Sequence, residues 1–190
     1  MGSGGPSLLP EGYAHIAYPV TASLEDHRAL AHELTHNLLA HLPLPPWLNE
    51  ALAMLFDVQL GGGGYPLLDA DTVHHHRTYW TRKTIQEFWC GNSFHEVDGQ
   101  ELSYSLARIL LSTIHTSVRP SPESFRRFVL SADGSDAGED ALREHLNCGL
   151  ADLVGGLLGP GDWAPQQISP GADVSRSNSH ATFASDVTHA

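Results

Sequence analysis

HELTHNLLAHLPLPPWLNEALAMLF, residues 32–56, contains two helical patterns separated by prolines, and the way they pair decides the arrangement of the rest of the chain. Residues four apart on a helix share a face, so His32 and His36 present two imidazoles to one point, with Glu33 beside them. Pro43, Pro45 and Pro46 stop this first helix and turn the chain. Pro46 suits the first turn of a second helix, which runs on until the glycines at 61–64 end it. So short a connection makes the helices neighbours, and Glu50, in the first turns of the second, reaches back toward His32 and His36.

The first helix is predicted over residues 24–41, with Ser23 as N-cap and Asp26 in the capping-box position. Leu24, Leu30, Ala31, Leu34 and Leu38 recur at helical spacing and are expected to form its buried stripe. At about 100° per residue, His32 and His36 fall off that stripe, on a face shared with Glu25, Ala29 and Ala40. Upstream, residues 13–20 (YAHIAYPV) read as a short edge strand ending near Pro19, and residues 1–12 as a flexible Gly/Pro/Ser leader.

Downstream, helices are expected over residues 78–89, 100–118, 122–130, 139–146 and 150–158. In the second of these, Leu102, Leu106, Ile109, Leu110, Thr113 and Ile114 share one side. His74-His75-His76 suggests a metal site, but adjacent side chains do not converge on one ion, so the tract is expected in an exposed or partly packed loop. Trp80 and Trp89 are expected in the core, and the glycine run lacks the Lys-Ser/Thr ending of a phosphate loop. Residues 164–190 have little to bury and are expected to be disordered.

The 190 residues suit one domain, and 41% hydrophobic content is compatible with a packed core. Ten Lys and Arg face 22 acids, a net charge of -12, which argues against nucleic acid as a partner. Cys90 and Cys148 show no disulfide-framework or zinc spacing and are expected as reduced thiols. No apolar run approaches membrane-spanning length and the N-terminus lacks a signal-peptide layout, so no membrane partner and a cytoplasmic location are expected.

Thirteen histidines raise the odds of a chance motif, which makes the surroundings of His32 and His36 important. A catalytic zinc takes three protein ligands and keeps a fourth position for water. His32, His36 and Glu50 supply such a set, leaving Glu33 as general base. A third histidine ligand in the metzincin register would need Gly at 39 and His at 42. The chain has Leu39 and Leu42 there, with His41 one place out, so Glu50 is preferred.

The same 25 residues resemble the active-site helix pair of gluzincin metallopeptidases, in the compact peptidase MA-like form where HExxH is followed by a Pro-rich turn and a W-L-N-E-x-x-A segment. The resemblance implies a mainly helical α+β, zincin-like domain over residues 13–163, a minimal gluzincin with the helix pair, the short edge strand and a C-terminal group of helices. It implies hydrolysis of peptide bonds in a peptide or protein substrate through a zinc-activated water. It also implies substrate pairing along residues 13–20, and an oxyanion-stabilising role for Tyr104. Where some gluzincins carry an Asp four residues after the glutamate ligand, this chain has Met54, so the partner that orients a zinc histidine is unassigned; Asp57 lies seven residues on. A zinc hydrolase of a non-peptide amide, or an inactive zincin-like protein that binds zinc or peptides, are the rival readings.

Overall fold

The computed structural model describes residues 24–61 and 68–166. Among them the fold is mainly helical, without a strand: α1 (Leu24–Leu39), α2 (Pro46–Gly61), α3 (Ala70–Tyr79), α4 (Thr84–Trp89), α5 (Gln100–Thr113), α6 (Pro122–Ser131), α7 (Glu139–Leu146) and α8 (Leu150–Leu158). A π-helical turn, Ile114–Val118, extends α5 to the length expected from sequence, and Asn92–Phe94 forms a 3-10 turn. The strand expected over 13–20, the leader and residues 167–190 lie outside the described residues.

Local chemistry sets the helix ends. α2 starts at Pro46, whose fixed φ and missing N–H cost nothing in a first turn. Ser121 caps α6 by accepting from the Ser124 N–H at 3.1 Å, ahead of Pro122. The proline turn is tied down in tertiary structure as well: the Gly134 N–H donates to Pro43 O at 2.9 Å, and the Trp47 indole N–H donates to Ala137 O at 2.8 Å. Trp47 and Leu48 are fully buried and anchor the first turn of α2 in a core that includes Ile85, Phe88, Trp89, Leu106, Leu110 and Phe128. α2 packs between α1 and α5. The first turn of α2, which leads directly into Glu50, is thus among the most firmly held parts of the molecule.

Three expectations are corrected. The expected stripe of α1 is buried only in part: Ala31 is 7% exposed, whereas Leu34 and Leu38 are 44% and 72% exposed among the described residues. Ala31 and Thr35 are the buried pair, and the Thr35 hydroxyl donates to Ala31 O at 2.8 Å. α1 packs chiefly on α2, and what α2 offers there is the Glu50 carboxylate, so the polar histidine face turns inward. Hydrophobic periodicity marks a stripe without saying where its partner lies.

The helix expected over 78–89 is broken. α3 ends at Tyr79, Trp80 takes an extended conformation, and α4 begins at Thr84. Thr84 Oγ1 accepts from the Thr81 N–H at 2.8 Å and donates to Tyr79 O at 3.0 Å, side-chain bonds that compete with helical ones. Trp80 and Trp89 are buried core, as expected.

The histidine tract is not a loop: it lies within α3, with His74 and His75 exposed and His76 fully buried. The Trp80 indole N–H donates to His76 Nδ1 at 2.9 Å. The proton therefore sits on Nε2, which donates to Ser105 Oγ at 2.9 Å. That tautomer cannot take a proton from Ser105, so the pair shares only its residue types with a nucleophile–base dyad. Burial, with a smaller push from His75, holds the His76 imidazole down at about 4, neutral at physiological pH.

Candidate metal centre

α1 places His32 and His36 one turn apart, and α2 brings Glu50 up to them. His32 Nε2 and His36 Nε2 lie 3.0 Å apart, and Glu50 Oε2 lies 3.5 and 3.6 Å from them. Two donors bonded to one tetrahedral zinc at about 2.0–2.1 Å would stand about 3.3–3.4 Å apart. The three observed edges bracket that value, so the residues fit an ion without moving far. Each side chain is about one-fifth exposed, which leaves the cluster reachable from solvent.

The electrostatics favour an ionised carboxylate facing the two imidazoles. Burial works against ionisation of Glu50, but the two imidazoles facing it outweigh burial and hold its carboxyl down at about 2. Its Oε2 is buried and has no hydrogen-bond partner at these separations, a costly state for a carboxylate oxygen. His36 is raised, chiefly by Glu50, against burial, with smaller contributions from Asn49 and Glu33. His32, His36 and Glu50 can together hold a metal ion.

Glu33 is exposed on α1 next to His32, and its negative charge reaches both His36 and Tyr104. Tyr104, half-buried on α5, packs edge-on against Phe94 with ring centroids 5.2 Å apart. Burial, then the charges of Glu50 and Glu33, push its phenol up to about 12, so it remains a hydrogen-bond donor at any working pH. The structure thus brings His32, His36, Glu50, Glu33 and Tyr104 into one neighbourhood. His41 is exposed past the end of α1, and His74 and His75 stand exposed on α3. Cys90 and Cys148 are free, partly buried thiols, both pushed up by burial.

Asn49 is the residue that sequence reasoning missed. Its Oδ1 is buried without a hydrogen-bond partner, and the side chain favours the charged form of His36. An amide oxygen so placed can orient a ligand imidazole, the part left unassigned when Met54 replaced the usual Asp. Its position beside Glu50 in sequence carried no sign of direction. Which way it faces depends on how α1 crosses α2. No helix among the described residues is long and apolar enough to cross a membrane. No protein-family model, curated protein or solved structure matches the chain.

Proposed function

We propose that this chain is a zinc-dependent metallopeptidase of gluzincin type with a zincin-like fold, acting on a peptide or protein substrate. The observation that carries the reading is the His32–His36–Glu50 triangle, whose edges match a tetrahedral N, N, O ligand set and whose carboxylate oxygen is buried without a partner. Zinc, when bound there, supplies Lewis-acid charge and lowers the pKa of water to about 7.

The chain's own groups do the remaining work. Glu33, exposed beside the ligands, takes the proton of the attacking water as its oxygen bonds to the carbonyl carbon, then delivers it to the amide nitrogen as the C–N bond breaks. Tyr104, protonated at all working pH values, donates a hydrogen bond toward the charge developing on the carbonyl oxygen. Trp47 and Leu48, fully buried in the first turn of α2, fix Glu50 so that the ligand set is pre-organised.

The test is zinc content and peptide-library cleavage, native protein beside Glu33→Gln. The variant should keep its zinc and lose cleavage by roughly 10²–10⁴-fold, the usual worth of a general base. Full cleavage by Glu33→Gln refutes the mechanism, and native protein that stays zinc-free after supplementation refutes the metal.

A further inference from the structure

Beside Glu50 the surface dips into a recess of about 170 Å3, walled by Pro46 from α2 and by Cys90, Gly91, Asn92, Phe94 and His95 from the turn after α4. The wall is firmly built. Gly91 has φ +87, a left-handed conformation that suits glycine, and a Cβ there would come within 2.7 Å of the Pro46 ring. The turn therefore sits directly on the residue that starts the Glu50 helix. Phe94 is 3% exposed, stacks on Phe88 at 5.5 Å and meets Tyr104 edge-on, so the recess adjoins Glu50 of the candidate metal centre and one of its walls touches the Tyr104 ring.

Its chemistry is mixed in a definite order. Pro46 and Phe94 are apolar, the Cys90 thiol donates to Glu87 O and Oε2 at 3.5 and 3.7 Å, and Asn92 and His95 are exposed at the rim. Asn92 Nδ2 donates to Glu87 Oε2 at 2.9 Å, which occupies that carboxylate and adds a negative charge behind the rim. The volume equals about six waters at about 30 Å3 each, the space of a side chain of four to six heavy atoms. A charged side chain of either sign would have to shed water against Pro46 and Phe94.

Building on the metallopeptidase reading, we propose that this recess receives the substrate side chain next to the scissile bond and selects an uncharged apolar one of leucine or methionine size. Cys90 and His95 are then specificity-determining residues, and the turn at residues 90–95 is the element that sets sequence preference.

Binding of amino-acid hydroxamates to the zinc-supplemented protein, measured by titration calorimetry, tests this without turnover. Partial burial of a leucine side chain should make leucine hydroxamate about tenfold tighter than glycine hydroxamate. Aspartate hydroxamate should bind more weakly than the glycine compound. Cys90→Phe fills the recess and should cut the leucine-to-glycine ratio to about twofold or less, the loss expected when the apolar space is already occupied. His95→Trp, at an exposed rim position, should cut the ratio likewise and stands in if Cys90→Phe does not fold. In a Cys148→Ser background, leucine hydroxamate should slow methylthiolation of Cys90 while glycine hydroxamate does not. Equal affinities across the series, tightest binding of the lysine or aspartate compound, an undiminished leucine advantage in the filled variants, or unprotected Cys90 overturns the assignment. Zinc binding without side-chain discrimination overturns the recess alone. Failure of the zinc-supplemented protein to bind any hydroxamate overturns the metallopeptidase reading together with it.

Discussion

Replacing Glu50 by Gln keeps the side chain's shape and removes the one charged member of the ligand triangle. In the native protein a zinc ion at about 1,000 times its dissociation constant adds about 4.1 kcal/mol of stability. For a chain of this size each kcal/mol moves the melting temperature by about 2–4 °C, so zinc should raise it by about 8–16 °C. Loss of a residue that merely orients a ligand costs about 10–100-fold in affinity, and loss of the charged ligand itself should cost more, about 1,000-fold. At the same zinc concentration the variant then sits near its dissociation constant and gains only about 0.4 kcal/mol, or about 1–2 °C. Scanning calorimetry with and without zinc measures the two increments. Each variant is compared with its own metal-free form, so the ion pairing that Glu50 makes at 3.5 and 3.6 Å in the absence of metal cancels. Magnesium should give little shift in either protein, because two imidazoles suit zinc better than an oxygen-seeking ion. His41→Gln, an exposed histidine outside the triangle, should keep the full zinc increment. An equal increment in Glu50→Gln and native protein, or its loss in His41→Gln, refutes the assigned ligand set.

Asn49→Leu should weaken zinc binding by about 10–100-fold while Asn49→Asp preserves it, as a competition titration with a chromophoric chelator would read; unchanged affinity in the leucine variant would remove Asn49 from the site. His76 is held at about 4, below its ordinary 6.5, so the native state resists its protonation and the unfolded chain does not. Its contribution is complete above about pH 6.5 and is lost as pH falls toward 4, a total of about 3 kcal/mol at 1.36 kcal/mol per unit. Denaturant titrations in chelator should therefore show a flatter pH slope for His76→Gln over that window, and parallel curves would contradict a neutral buried imidazole. Leu38→Lys should change stability by no more than about 0.5 kcal/mol, because that side chain is 72% exposed. Leu106→Ala, at a fully buried position, should cost about 2–5 kcal/mol, and the reverse ranking would restore the leucine stripe of α1 to the core.

The helix boundaries were largely legible because their causes are local. Prolines at 43, 45, 46, 120 and 122 act on their own and preceding residues, so α1, α2, α5 and α6 start or stop close to the expected positions. Competing bonds were harder to see: Thr81 and Thr84 each satisfy backbone groups, and that exchange ended a helix where periodicity continued one. His76 shows the same limit in the core. Nothing within the tract His74-His75-His76 distinguishes its third member, and the indole N–H of Trp80 and the hydroxyl of Ser105 that accommodate it come from the next turn and from 29 residues away.

The candidate site divides along the same line. That His32 and His36 share a face with Glu33 beside them follows from the helical repeat alone, and the proline turn is enough to return Glu50 to them. Sequence by itself therefore determined the candidate donor set, the two helices that carry it and the order of their residues. Only the tertiary structure decided that Leu34 and Leu38 of α1 stay exposed, that Asn49 faces His36, and that a turn 40 residues beyond Glu50 seats Gly91 on Pro46 to make a recess. Those features depend on which surfaces meet, and the meeting is set by the packing of Trp47, Phe88, Trp89 and Leu106 across distant segments rather than by the preferences of any one of them.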